Sequence, residues 1–550
     1  MRLRHALAAV LACALIGAPA ATARDRHDHG RHHRGGTVDV QVVGINDFHG
    51  NLEPPSGLVD GAAAGGIAYL ATHVKALEAR NPRRTVVVSA GDLIGASPLL
   101  SALFHDEPTI EAMNQLGLDV NSVGNHEFDE GATELLRMQS GGCRSDDPRP
   151  DCDFAGADFR FLAANVVRES NGRTLFPPYV IKRFDGVKVA FIGETLEGTP
   201  QIVTPSGVAG LQFRDEADTI NALVPRLRRQ GVRTIVALIH EGGVPVADGS
   251  CVSGPIRDIV ERTSREVDVF MTGHTHQIYN CVVDGRPVTS AGSFGKLLTD
   301  VDMTIDRGSG QPKTIRAGNL VVTRDVAKDP AQTALIAKYQ ALAGPVGDRV
   351  IGTAAADITR DATPAGESAL GDVIADSQRE ATAPAGFGGA QIAFMNPGGI
   401  RANLAAGPVT FAEAFTVQPF GNSLVTMTLT GAQIERVLEQ QVFPSDTPNG
   451  TGTMLQVSSG LHYTWDPARP AGDRIDPASI ALNGLPLVPA QTYRVTVNNF
   501  LADGGDGFAV LREGTDRLGG AIDLDALEAY FTAHSPVPPG PRDRIARAGG

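Results

Sequence analysis

"SVGNHEFDEG", residues 122–131, sets Asn125, His126, Glu127 and Asp129 between Gly124 and Gly131, directly after an apolar stretch. A buried strand that ends in polar side chains is how an open α/β sheet presents ligands at its carboxyl edge. The same pattern recurs on both sides: "VDVQVVGIND" (38–47), "TVVVSAGD" (85–92), "LDVNSVGNHE" (118–127), "VKVAFIGE" (187–194), "TIVALIHEG" (234–242) and "VDVFMTGHTH" (267–276). Near-continuous apolar runs of this length, separated by helix-like segments such as "GGIAYLATHVKALEAR" (65–80), predict a largely buried sheet in a layered α/β domain. That domain is expected to span 37–325. "DPAQTALIAKYQALAG" (329–344) has helix-forming composition and predicts a helical connector at 326–345. A second, smaller α/β region follows from 346 to 550, with strands expected at "AQIAFM", "LVTMTLT", "LHYTW" and "TYRVTVNNF".

The polar residues at the strand ends are of one chemical kind. Asp47 and His49, Asp92, Asn125, His240, and His274 with His276 fall at the ends of five separate runs. Side chains at i and i+2 of a strand point the same way, so Asp47 can join His49, and His274 can join His276, at one centre. Any one of these motifs alone reads as a turn or a hydrogen-bonded histidine. Together, oxygen and imidazole ligands without thiolate suit two adjacent divalent ions of the Zn, Mn, Fe or Co type. In the opening stretch, successive side chains diverge, which leaves His126 free to face a substrate while Asn125 ligates. Asp129 lies beside His126 if a helical turn begins there, and Gly124 is expected to let the turn bend sharply.

Composition narrows the class. With 550 residues the chain exceeds one ordinary core, and a net charge of −14 leaves no basic face for a nucleic acid polymer. The start "MRLRHALAAVLACALIGAPAATA" has a basic end, an apolar run from Ala6 to Ile16 and small residues, which predicts a signal peptide cleaved after Ala23. That run is too short to span a bilayer, and no stable membrane insertion is expected. Loss of Arg2 and Arg4 takes the formal charge to −16. Residues 24–36, "RDRHDHGRHHRGG", read as a disordered, histidine-rich leader. Four cysteines remain, and proximity favours Cys143 with Cys152 and Cys251 with Cys281, as suits a periplasmic or secreted protein.

"DFHGN", "GD", "GNHEFD", "H" and "GHTH", in that order, resemble the calcineurin-like metallophosphatase superfamily. "NPGGIR" (396–401), "QPFGN" (418–422) and "NNFLADGGDGF" (498–508) resemble the C-terminal domain of the secreted 5′-nucleotidase family, which includes UDP-sugar hydrolases. The resemblance implies a β-sandwich flanked by helices for the first domain and a substrate-binding second domain. It implies one metal held by Asp47, His49, Asp92 and His276, and a second held by Asp92, Asn125, His240 and His274, with Asp92 bridging. It further implies in-line attack on phosphorus by a metal-bridging hydroxide, with His126 stabilising the transition state or leaving group and Asp129 orienting it. Phe420 and Phe500 match the aromatics that sandwich a base, and Asn396, Arg401, Asn422 and Asp506 match polar positions around nucleoside and phosphate.

The expected function is therefore an exported dimetal phosphohydrolase acting on nucleoside 5′-monophosphates, with UDP-sugars and other nucleotide esters as further candidates. The alternatives are a 2′,3′-cyclic nucleotide phosphodiesterase with 3′-nucleotidase activity and a non-catalytic nucleotide- or metal-binding surface protein. Several members of the family carry an arginine just before the glutamate of "AGESALGD" (365–372), where this chain has Gly366. The phosphate clamp then falls to Arg401 and Arg360.

Overall fold

The computed structural model describes residues 36–144, 152–203, 205–246, 251–447 and 452–549. The expected signal peptide and all of the histidine-rich leader but Gly36 lie outside them. Every strand expected above is present, and two six-stranded sheets, rather than the one read from the pattern, build the first half.

In the first sheet the strands Thr37–Ile45, Thr85–Ser89, Val120–Ser122 and Arg160–Leu162 run parallel. Leu297–Asp306 and Pro312–Val321 extend it antiparallel. The second sheet centres on parallel strands Val187–Glu194, Thr234–Ile239 and Val269–Thr272, with antiparallel hairpins at its edges. No residue of the strand Pro312–Val321 is fully buried and polar side chains interrupt it, so its composition carries no buried-strand signal.

Alternation decides the layers. Val38, Val40, Val42, Val86 and Val88 of the first sheet pack against Phe191, Val236, Leu238 and Met271 of the second, forming the interior of a sandwich. The two sheets approach so closely that a Cβ on Gly44 would lie 1.9 Å from Met271 Cε. The opposite faces are covered by helices. Ile67–Arg80, Glu107–Leu116 and Pro330–Gly347 cover the first sheet, and Glu216–Arg229 and Pro255–Arg262 the second.

Helix Pro330–Gly347 begins at Asp329, whose side chain accepts from the N–H groups of Ala331 and Gln332. It buries Tyr339 in the first half and also packs against helix Phe411–Val417 of the second. The second half is built on a five-stranded sheet in which Ile392–Met395, Thr492–Asn498 and Ser423–Thr430 are central. Disulfides join Cys143 to Cys152 and Cys251 to Cys281. The second closes a separation of 30 residues, and a loop of that size contributes on the order of 3 to 4 kcal/mol in the chain-entropy model. Among the described residues no helix is long and apolar enough to cross a membrane.

Candidate active site

The parallel strands of both sheets deliver their carboxyl ends to one edge of the sandwich, and the seven expected ligands meet there. They do not meet by strand alternation. The strands stop at Ile45, Ser89 and Thr272, and Asp47, His49, Asp92, His274 and His276 follow in left-handed backbone, with φ of 49°, 47°, 53°, 69° and 54°. Residues other than glycine rarely adopt this conformation, and strained positions of this kind cluster at functional sites. The loops are held in place by backbone bonds, such as Asp47 N–H to Gly91 O and His49 N–H to Asp92 O.

Around Asn125 Oδ1 lie His240 Nε2 at 3.1 Å and His274 Nδ1 at 3.0 Å. Asp92 Oδ2 is 3.0 Å from His240 Nε2 and 3.6 Å from His49 Nε2. His276 Nε2 faces His49 Nε2 at 3.1 Å and Asp47 Oδ1 at 3.5 Å. Asp92 thus stands between an Asn125–His240–His274 group and an Asp47–His49–His276 group.

The donor set fits two divalent ions. His49 Nδ1 donates to Gly95 O at 2.9 Å, and His240 Nδ1 donates to Ala90 O at 2.8 Å, so each ring, when neutral, presents the lone pair of Nε2 to the centre. Lone pairs of nitrogen, amide oxygen and carboxylate converging within hydrogen-bond distance is what a shared cation resolves. Burial holds His49 and His274 down to about 3, the neutral state a ligand needs. Burial also disfavours charge on His240, but the Asp92 carboxylate outweighs it and raises the ring to about 10, a proton that a metal displaces.

His126 opens a short 3₁₀ turn, His126–Phe128, and its Nδ1 lies 2.8 Å from Asp129 Oδ2. Burial opposes its charge, yet Asp129 and Asp92 outweigh burial and raise its pKa above the ordinary histidine value. Its backbone N–H donates to Asp92 Oδ1 at 2.9 Å.

Glu127 and Gly124 have sharper roles than the sequence indicated. The buried Glu127 carboxylate accepts from the N–H groups of Asp92, Leu93 and Gly124 at 3.0, 3.0 and 2.7 Å, and from Asn121 Nδ2 at 3.2 Å. It therefore clamps the Asp92 loop to the Asn125 loop. Gly124 does not have the positive φ of a sharp glycine turn; a Cβ there would lie 2.2 Å from Asp92 Oδ1, so close approach is what demands glycine.

A Glu127→Gln variant turns an amide N–H₂ toward backbone donors. It is expected to lose about 2 to 4 kcal/mol in urea unfolding of the metal-free protein and to bind metal roughly 10- to 100-fold more weakly. Unchanged unfolding and metal affinity would remove Glu127 from the scaffold of the site.

Across a cavity of about 750 Å³ from this cluster stand residues of the second half. Asn125, His126, Asp129 and His274 line one wall, and Arg360, Asn396, Arg401, Phe420, Asn422, Phe500 and Asp506 line the other. The Phe420 ring stacks on His126 with centroids 5.8 Å apart, and Arg401 lies over the Phe420 ring at 6.0 Å. Arg360 Nη1 donates to Arg401 O at 2.9 Å, which brings two guanidinium groups to the same rim. Asn396 donates to Asp506 Oδ2 at 2.8 Å and accepts from Asn498 at 3.0 Å. Asn422 Nδ2 reaches Asp523 Oδ2 at 3.4 Å, and neither Asn498 nor Asp523 was among the expected residues.

Gly366 lies in left-handed backbone at φ 93°, and a Cβ there would meet Met454 Cγ at 2.4 Å. On this backbone the position is closed to an arginine.

Comparison with known proteins follows the same division of the chain. Residues 40–278 match the family model for calcineurin-like phosphoesterases, and residues 350–513 match that for the 5′-nucleotidase C-terminal domain. The chain is similar to Endonuclease YhcR of Bacillus subtilis, 33% identical over 505 residues, covering 90% of this chain and 39% of that protein. It is similar to Cell wall protein Lmo0130 of Listeria monocytogenes, 34% identical, covering 89% of this chain and 66% of that protein. This chain therefore spans less than two thirds of the length of either relative. Among solved structures, the 5′-nucleotidase precursor from Thermus thermophilus superposes with a TM-score of 0.77 at 29% identity, covering 93% of this chain and all of that one.

Proposed function

The chain belongs to the calcineurin-like phosphoesterases that carry a 5′-nucleotidase C-terminal domain, a family that uses two divalent metal ions, and from that membership we propose that it is an exported hydrolase of nucleoside 5′-monophosphates. The observation that carries this reading is the shared cavity, with metal-ligating side chains and His126 on one wall and two arginines and two phenylalanines on the other. A phosphate needs the first wall and the arginines; a flat, apolar base needs the rings.

Asp47, His49, Asp92 and His276 would hold one ion, and Asp92, Asn125, His240 and His274 the other. When bound, such a pair supplies Lewis acidity toward the phosphoryl oxygens and makes an attacking water more acidic. Asn125 adds an oxygen ligand without adding negative charge near an anionic substrate. His126, its Nδ1 held by Asp129, keeps a proton on Nε2 to donate to the phosphoryl or departing oxygen. Arg401 and Arg360 hold the phosphate from the opposite side by charge-assisted hydrogen bonds. Phe420 and Phe500 stack the base, while Asn396, Asn422 and Asp506 take the polar edges of the nucleoside. The disulfides support export.

Purified protein assayed with AMP, 3′-AMP, 2′,3′-cyclic AMP and UDP-glucose tests the substrate. AMP is expected to give the highest kcat/KM; faster turnover of 3′-AMP and the cyclic nucleotide would transfer the reading to a phosphodiesterase with 3′-nucleotidase activity. A Phe500→Ala variant is expected to raise KM for AMP by roughly 10-fold or more, since one base stack is worth about 1 to 3 kcal/mol. KM for glycerol phosphate, which has no base, should stay within about 2-fold on the same argument. Equal effects on both would make Phe500 a core residue.

The connector at 326–345 is proposed as the hinge on which the two walls close. A cross-link that pins the two halves apart is expected to abolish AMP hydrolysis, and full activity in the pinned protein would refute the hinge.

A further inference from the structure

His276 is held differently from the other imidazoles at the centre. His49 and His240 each fix Nδ1 on a backbone carbonyl, Gly95 O and Ala90 O. His274 turns its Nδ1 to Asn125 Oδ1. His276 turns Nε2 toward His49 and Asp47, and its Nδ1 has no hydrogen-bond partner among the described residues. The second nitrogen of a ligating histidine ordinarily fixes the ring by such a bond, so packing must orient this one.

The ring that packs on it is Phe294. It meets His276 edge to face, with centroids 5.4 Å apart and planes at 82°, and reaches His49 at 6.0 Å. Edge-to-face contacts are directional, because the positive edge of one ring seeks the negative face of the other. Phe294 belongs to none of the apolar clusters among the described residues, so core packing does not account for it. Its backbone is left-handed, at φ 61°, an outlier for a bulky residue that its surroundings must enforce.

The enforcing bonds run to the ligand loop itself. Phe294 N–H donates to Asp47 O at 2.7 Å. Asn46 Nδ2 donates to Gly292 O and to Asp47 Oδ2, both at 2.7 Å, and Asn46 Oδ1 accepts Ala291 N–H at 2.8 Å. Lys296 Nζ lies over the Phe294 ring, 5.6 Å from its centroid. The segment 291–296, between strand Arg286–Ala291 of the second sheet and Leu297–Asp306 of the first, is thus fastened to Asp47 and offers a ring to His49 and His276. Those three residues make up one of the two ligand groups, and Phe294 does not line the cavity.

We propose that Phe294 is a positioning residue for one ion alone: its ring sets the His276 and His49 imidazoles and so governs the affinity of the Asp47–His49–His276 group, an inference that rests on the two-ion reading above.

The test titrates the metal-free full chain with Mn²⁺, following free ion by electron paramagnetic resonance. The unmodified protein is expected to take up two ions. Phe294→Gly is compatible with the fold, because glycine adopts left-handed backbone without strain. In it one of the two binding steps should weaken roughly 10- to 100-fold, the range for losing a group that orients a metal ligand, while the other stays within about 2-fold. Phe294→Leu, which keeps apolar bulk without a flat ring, should behave as the glycine variant does, and Phe294→Tyr should restore the unmodified affinity. Asn125→Ala, which lacks a ligand of the other group, should weaken the other step, and joined to Phe294→Gly it should weaken both. Equal weakening of both steps in Phe294→Gly, two unaltered steps, or failure of tyrosine to rescue would overturn the role of Phe294 and leave the two-ion reading standing. Fewer than two ions on the unmodified chain would overturn that reading and this inference with it.

Discussion

Asp92→Asn is expected to lower AMP turnover by at least about 10³-fold, because metal-borne electrostatic stabilisation is usually the largest single term in such a reaction. The bound metal should fall from two ions per chain toward one. Asp92 reaches both ligand groups, with Oδ2 at 3.0 Å from His240 and 3.6 Å from His49. Its Oδ1 also takes the N–H of His126 at 2.9 Å, so one carboxylate joins the proposed metal ligands to the proposed acid. Asparagine keeps the shape and loses the charge and one acceptor oxygen. Metal content by elemental analysis and steady-state turnover read the two effects separately. Two ions with normal turnover would remove Asp92 from the bridging role.

His126→Asn is expected to cut kcat by roughly 10²- to 10⁴-fold, the range of a positioned general acid, and to leave two ions bound. The His126 ring lies 5.0 Å from the His49 ring by centroid and takes its place between the proposed metal ligands and Phe420, yet its ring nitrogen is held by Asp129, outside the proposed ligand set. Asp129→Asn should produce a smaller loss in kcat with KM little changed, since it alters the orientation and charge of His126 rather than removing it. Metal loss in His126→Asn would make the residue a ligand, and full activity would make it a spectator.

Much of the molecule was legible because the signals were local. Six apolar runs gave six strands, and the order of Asp47, His49, Asp92, Asn125, His240, His274 and His276 picked out the candidate ligands that the structure brings to one edge. The reason first given for their convergence does not hold. Alternation along a strand fails past Ile45 and Thr272, where left-handed turns aim the side chains, and Asp and His, though enriched in such turns, are too common elsewhere to announce a positive φ. Glu127 was legible as structural, but its partners are N–H groups of Asp92 and Leu93, more than thirty residues away, and a bond to backbone leaves no pattern in the sequence. Gly124 was read as a turn; only the distance to Asp92 makes it a close-approach glycine. The strands Leu297–Asp306 and Pro312–Val321 escaped notice because their partly polar faces lack the apolar run that marks the parallel strands. Asn498 and Asp523, which brace Asn396 and Asn422, likewise depend on contacts about a hundred residues apart.

The central claim is that two ions held by these seven side chains support hydrolysis of a nucleoside 5′-monophosphate. Metal-free protein titrated with Mn²⁺ while adenosine and phosphate are measured from AMP tests it most directly. Activity should be absent without metal, rise to a plateau at two equivalents per chain, and release adenosine and phosphate in equal amounts. Full AMP hydrolysis by the metal-free protein, or none at any manganese concentration, would contradict it.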